Sequence, residues 1–256
     1  MLKGRKKNFD CNHRKRLLEP RPLIGILLDY QQSGSFSKRP HHALRQGYFD
    51  AVWRAGGLPV GLPYINDGID DYLDRVGGLV VPGGFYPFPQ IYYGVEDVVA
   101  EPPHPRHAAE VPLARAAIDR DVPLLGICAG LQVLAAIEGA RLIPDLKAEI
   151  DSPIDHLNEK PAEERAHAVA VTPGTLLHRI VGKDEITVNT AHNEAPLPGA
   201  VPASLVVNAV APDGVIEGVE RPESTFCLGV QWHPEFFLED DAPDLALFKA
   251  LVEAAR

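Results

Sequence analysis

Two hydrophobic periods divide this chain, and they change over near residue 141. In the first part, short apolar runs alternate with stretches whose apolar residues recur every three to four positions. That is the pattern of strands buried on both faces and separated by amphipathic helices. Residues 23–28 form the first run, and a polar loop through Arg39-Pro40 leads out of it. A helix is predicted over about 42–55, with Leu44, Tyr48 and Val52 on one stripe and Gly56-Gly57 ending it. A second strand covers 58–62, and Asp67 is placed to cap a helix in which Ile69, Tyr72, Leu73 and Val76 share a face. The third strand, 78–81, runs into Pro82-Gly83-Gly84. A loop rich in proline and tyrosine spans 85–105, the kind of long connection that usually carries function. A helix is expected from near Glu110 to Asp119, with Pro112 in its first turn.

From Arg141 onward strict alternation takes over. Strands are predicted at 167–171, 186–189, 205–210, 215–219 and 226–232, with Asp213-Gly214 as a hairpin turn and a closing helix over 242–255. Residues 145–165 are polar and irregular, as in a mobile flap. The order predicts an α/β fold with a doubly wound, mostly parallel sheet and a small β-rich extension.

The first part ends on the stretch with the most chemistry, Pro123-Leu124-Leu125-Gly126-Ile127-Cys128-Ala129-Gly130-Leu131-Gln132. Its apolar run reads as a strand that stops at Cys128; then Leu131, Leu134, Ala135 and Glu138 follow helical spacing until Gly139. A strand that becomes a helix within one residue strains that residue's backbone, and small neighbours are needed on either side. Gly126 and Gly130 supply them. The turn lifts the Cys128 sulfur to a helix N-terminus, where free amides and the helix dipole favour a thiolate.

Composition changes this picture little. The chain has 256 residues, 45% hydrophobic and 23% charged, enough for one sizeable core. The net charge of −10 is uneven: residues 1–21 carry +6, with eight Lys/Arg and two acids, and the remainder carries −16. Residues 1–21 are therefore read as a flexible basic extension and 22–256 as a single domain. An acidic body argues against nucleic acid as a partner, and the absence of a long apolar run argues against a membrane. Three cysteines without paired spacing, and no signal-peptide pattern, point to the cytoplasm. Cys11 falls in the basic extension and Cys227 in an apolar strand. No metal is expected, because C-x-x-C and H-E-x-x-H are absent and His41-His42 is a weak signal alone. Neither a dinucleotide fingerprint nor a Walker A motif is present, so no cofactor is expected.

A cysteine nucleophile needs a base, and one of the ten histidines has a telling context: Gly229-Val230-Gln231-Trp232-His233-Pro234-Glu235. Residues two apart on an extended segment point the same way, so Glu235 can orient His233. Pro234 puts the pair at a strand end, where the sites of such sheets gather. Cys128, His233 and Glu235 thus suggest a nucleophile, base and orienting acid.

These two stretches closely resemble the class I glutamine amidotransferase superfamily. The nearer resemblance is to its stand-alone γ-glutamyl-γ-aminobutyrate hydrolase branch (peptidase C26), used in putrescine breakdown. Ala55-Gly56-Gly57-Leu58-Pro59, Leu79-Val80-Val81-Pro82-Gly83-Gly84, Val188-Asn189-Thr190-Ala191-His192 and Ala211-Pro212-Asp213-Gly214 resemble that branch as well. The resemblance implies a flavodoxin-like fold and a Cys-His-Glu hydrolase acting on a small γ-glutamyl substrate through a thioester. It also implies an oxyanion hole from the backbone amides of Gly84 and Ala129, and substrate contacts from Gln132, His192 and Asn193. A homodimer is compatible with it. Two departures stand out: Ala129 replaces the usual arginine, and Asn193-Glu194 replaces the usual His-Gln. If Glu194 faces the pocket, its carboxylate disfavours an acidic leaving group. Two other readings stay open, a glutaminase subunit feeding a separate synthase and a non-catalytic binding protein.

Overall fold

Apolar residues that alternate along the central strands feed two different layers. Ile24, Ile26, Val80, Leu125, Ile127, Leu228 and Val230 join one core, whereas Leu27, Leu79, Val81, Leu124 and Val219 join another. Successive side chains of a strand point to opposite faces, so both faces of this sheet are covered. The computed structural model describes residues 20–95 and 102–256. Most of the basic extension, Cys11 included, lies outside the described residues.

The elements, in order, are strands β1 (Leu23–Leu27), β2 (Asp29–Gln31) and β3 (His41–Ala43), helix α1 (Gln46–Arg54), strand β4 (Leu58–Leu62), helix α2 (Ile69–Leu73), strand β5 (Gly78–Val81), helix α3 (Pro105–Asp119), strand β6 (Leu124–Ile127) and helix α4 (Ala129–Ile137). There follow β7 (Leu142–Ile143), α5 (Leu146–Glu149), β8 (His167–Val171), α6 (Leu176–Val181), β9 (Glu185–Val188), β10 (Ala195–Pro196), β11 (Val206–Val210), β12 (Ile216–Glu220), β13 (Cys227–Val230) and α7 (Pro243–Ala254). Nine strands make one sheet in the order β4-β1-β5-β6-β13-β12-β11-β8-β9. The pairs from β4 to β13 are parallel and those from β13 to β9 antiparallel. The expected β-rich extension is thus a continuation of the central sheet, with β7–β10 and β2–β3 as separate two-stranded ribbons. Helices α1 and α7 cover one face through Tyr48, Val52, Phe248 and Leu251, and α3 and α4 the other through Leu113, Ala117, Leu131 and Leu134. Among the described residues, no helix is long and apolar enough to cross a membrane.

Three local expectations are corrected. The helix expected from Glu110 begins at Pro105, with Pro112 in its interior. Its buried face carries Arg106, His107 and Glu110, so a search for apolar spacing misses the first turns. Pro105 fits the first helical position, where an N–H would be unpaired anyway, and the Arg106 N–H donates to His104 Nδ1. The helix predicted from 42 starts at Gln46, because residues 41–43 pair with β2 instead. Asp67 lies within a 3₁₀ turn and does not cap α2.

Candidate active site

The topology places two strand ends side by side. β6 and β13 are neighbouring parallel strands with Ile127 opposite Val230, and the Cys128 N–H donates to the Val230 carbonyl at 2.8 Å. Both strands therefore release their next residues at the same edge of the sheet, the edge where sites of such sheets are built. Cys128 emerges from one and His233 from the other.

Cys128 has φ 51° and ψ −107°, in the left-handed half of backbone space that a residue with a Cβ avoids. The turn is held by close backbone approach on both sides. A Cβ on Gly126 would come within 2.7 Å of the Gly130 carbonyl, and one on Gly130 would overlap the Val81 carbonyl. Ala129 is the first residue of α4, so its N–H belongs to the helix's unpaired donors.

His233 is fixed at both backbone and ring. The Asn189 amide clamps its main chain: His233 N–H donates to Asn189 Oδ1 at 2.9 Å, and Asn189 Nδ2 donates to the His233 carbonyl at 3.2 Å. On the ring, Nδ1 meets Glu235 Oε1 at 2.9 Å, and Cys128 lies close enough to act on the charge of the same imidazole. Burial alone pushes the His233 imidazolium down, but the Glu235 carboxylate and the Cys128 sulfur outweigh it and raise the group to about 10. Glu235 is itself wholly buried, which favours its neutral form, yet His233 first and then Arg45 hold it below the usual carboxylate range. The Arg45 guanidinium donates to Glu235 Oε1 at 2.9 Å.

Four residues that the sequence reading did not single out as site residues complete this frame. Tyr48 accepts the Gly83 N–H at 3.0 Å, and its hydroxyl helps to hold the Glu235 carboxyl down, which ties the strand β5 turn to the surroundings of the acid. Arg45 reaches both Tyr48 and Glu235. Arg106, fully buried, donates to the carbonyls of Pro82 and Gly83 and is paired with Asp29 and Glu110. Asn189 was visible only as part of a motif. Tyr48 looked like core because it sits on an apolar stripe; a buried tyrosine needing a partner for its hydroxyl was the available signal. Arg106 lies about 20 residues from Gly84 and Cys128 in sequence, so only the fold brings them together.

A narrow cleft opens beside Cys128, lined by Gly84, Tyr86, Gln132, His192, Asn193 and Glu194 among others. Gln132 is held by the Glu194 carbonyl at 2.8 Å and by Gln231 Oε1 at 3.3 Å. Asn193 lies at the rim, its amide directed to the Pro144 carbonyl. Glu194 borders the cleft, and its carboxylate accepts the Tyr93 hydroxyl at 2.8 Å. Burial raises the Glu194 carboxyl, with the Tyr93 hydrogen bond opposing. His192 borders the cleft with its ring, but its nitrogens are directed elsewhere: Nδ1 to the Glu194 carbonyl at 3.1 Å and Nε2 to Glu217 at 3.4 Å. Cys227 lies in β13, where burial pushes its thiol up to about 12, so it is a core residue. His41 and His42 lie on the β2–β3 ribbon and join no metal-ligating group among the described residues. The expectation of no metal rested on spacing motifs. The fold nevertheless gathers His156, His167 and Glu217, from three separate segments, into one buried group.

Known proteins fall in with this arrangement. The sequence pattern of the peptidase C26 family matches residues 22–235. A Rickettsia prowazekii protein described as glutamine amidotransferase-like is 30% identical, over 93% of this chain and 99% of its own. The γ-glutamyl-γ-aminobutyrate hydrolase of Escherichia coli K12 is 28% identical, over 92% of this chain and 94% of its own. Among solved structures, a GMP synthase-like protein from Thermoplasma acidophilum superposes with a TM-score of 0.61 at 18% identity, covering 93% of this chain and 96% of that one, a likeness of fold. Strand-to-helix cysteine, clamped histidine and matched span together make this chain a member of the peptidase C26 family.

Proposed function

We propose that this protein is a cysteine hydrolase that cleaves the γ-glutamyl amide bond of a small γ-glutamyl compound and releases glutamate. The observation that carries the reading is the Cys128 sulfur, at a strained turn, set beside an imidazole that Glu235 holds from behind. In the first step the Cys128 thiolate attacks the amide carbon and a tetrahedral oxyanion forms. His233 then gives its proton to the leaving nitrogen, the C–N bond breaks, and an acyl thioester remains. In the second step His233 takes a proton from water, the hydroxide attacks the thioester, and the C–S bond breaks to free glutamate.

The Gly84 and Ala129 N–H groups are the proposed oxyanion donors. Gly83 supports this assignment, since its N–H is taken by Tyr48 and its carbonyl by Arg106. With the Gly83 carbonyl pinned to Arg106, a trans peptide turns the following N–H, that of Gly84, to the opposite side. Among the described residues no acceptor meets it. Such a donor, preorganised and unspent, is worth on the order of 10²–10³ in rate.

Gln132, His192 and Asn193 are the proposed walls of the glutamyl pocket, with Gln132 the best positioned of the three. Glu194 at the cleft favours a neutral or cationic leaving amine over γ-aminobutyrate. A panel of γ-glutamyl amides, with γ-glutamyl-γ-aminobutyrate, a γ-glutamyl diamine and free glutamine among them, tests the whole reading by product identification. Glutamate release from one or more γ-glutamyl amines, abolished in Cys128→Ser, is the expected result, with the diamine faster than the aminobutyrate. Turnover confined to glutamine would favour the ammonia-supplying reading, and turnover unchanged in Cys128→Ser would end the proposed mechanism.

A further inference from the structure

Behind the cleft, three buried histidines face one buried carboxylate, that of Glu217. His156 comes from the irregular segment after α5, His167 from β8, His192 from the loop after β9, and Glu217 from β12. Their exposures are 4%, 8%, 2% and 0%. The Glu217 Oε1 atom lies 3.3 Å from His156 Nδ1, 3.6 Å from His167 Nε2 and 3.4 Å from His192 Nε2. Among the described residues, the three inward nitrogens and both Glu217 oxygens have no well-aligned hydrogen-bond partner.

The outward nitrogens decide what the inward ones are. His156 Nε2 faces Asp213 Oδ2 at 2.9 Å, His167 Nδ1 the Ala168 carbonyl at 3.1 Å, and His192 Nδ1 the Glu194 carbonyl at 3.1 Å. Each of these partners accepts only, so each outward nitrogen can carry a proton, which leaves the inward nitrogen free to act as a ligand. Three inward nitrogens and a carboxylate then meet without aligned hydrogen bonds between them, an arrangement that a cation can join. Imidazoles oriented from outside by a carboxylate or a backbone carbonyl are the usual surroundings of metal-ligating histidines. The spacing agrees. A tetrahedral zinc with bonds of about 2.0–2.2 Å sets its ligand atoms about 3.3–3.6 Å apart; the contacts to Glu217 fall in that range, and one ligand atom each from His156, His167 and Glu217 lies within 4.8 Å of the others.

We propose that His156, His167 and Glu217 form a structural site for a zinc ion or a similar tetrahedral divalent cation. Three protein ligands leave the fourth position to water or another small ligand, and the ion takes no part in the chemistry at Cys128. It ties the irregular segment carrying His156 to the sheet and, through Glu217, which His192 Nε2 also faces, steadies the wall of the cleft. Asp213 orients His156, and Ser152 in turn donates to Asp213. The site stands independently of the substrate reading.

The test uses the full chain, stripped with a chelator and titrated with Zn²⁺ and Co²⁺. Expected are ~1 ion per chain, visible d–d bands of tetrahedral cobalt, and a thermal midpoint that falls on stripping and returns with zinc. Cys128→Ser should keep the cobalt bands, because no sulfur takes part. Asp213→Asn should bind roughly 10–100-fold more weakly. His156→Ala with His167→Ala should remove the bands. Stripped wild-type protein that takes up neither ion, or bands that survive the double substitution, would overturn the assignment; the first would leave protons as the bridging cations. The wild-type titration decides the matter even if the double variant fails to fold.

Discussion

Cys128 and His233 are neighbours only because each residue is held by something else. The strained backbone at Cys128 aims the sulfur, and the Asn189 clamp with the Glu235 carboxylate aims the ring. The electrostatics follow from the same contacts. His233 is raised from 6.5 to about 10, so its imidazolium persists beside Cys128 until pH climbs through that value. Replacing the carboxylate removes a contributor that raises the group, and the imidazolium is then lost at lower pH. In Glu235→Gln the pH profile of Cys128 alkylation by iodoacetamide should therefore lose its alkaline side at lower pH than in wild type. Peptide mass spectrometry separates Cys128 from Cys227, whose buried thiol is held up to about 12 and stays unreactive. Matching pH profiles for wild type and variant would mean that Glu235 does not tune the pair.

At the scale of elements, the elbow is a packing problem between β6, α4 and β5. The carbonyl of Val81 occupies the space where a Cβ on Gly130 would lie, and backbone cannot step aside as a flexible side chain can. Gly130→Ala should lower the thermal midpoint on the order of 5–10 °C, from about 1–3 kcal/mol of overpacking in a chain of this size. It should also abolish Cys128 alkylation, since α4 must shift to make room. Gly139→Ala is the control: the site has φ 105° and open space around it, so it meets only backbone strain and leaves alkylation intact. Equal loss of alkylation in both variants would show that close approach at Gly130 is not what holds the turn. The elbow was legible in sequence because a change of period and two glycines mark it locally. Helix α3 was only half legible, because its first turns bury Arg106 and Glu110, whose partners come from β2 and the β5 turn.

At the scale of the molecule, one sheet runs from β4 to β9 without a break, and two cores cover its faces. Residues 22–256 should therefore unfold as one unit: midpoints from far-ultraviolet circular dichroism and from tryptophan fluorescence, which reports on buried Trp232, should coincide. Two separated transitions would divide the chain where parallel pairing gives way to antiparallel. By itself the sequence determined most central strands and the helices beside them, the sharp turn at Cys128 and the His-x-Glu pair, because each depends on periodicity or on residues within one short segment; the short β2–β3 and β7–β10 ribbons and helices α5 and α6 left no such mark. Only the tertiary structure decided that β13 lies against β6, that the β-rich half extends the same sheet, and that Tyr48, Arg45 and Arg106 frame the site. The group of His156, His167, His192 and Glu217 belongs with these, its members coming from four segments up to 61 positions apart. Contacts of that kind are set by strand pairing and buried polar partners, and neither leaves a periodic mark on the chain.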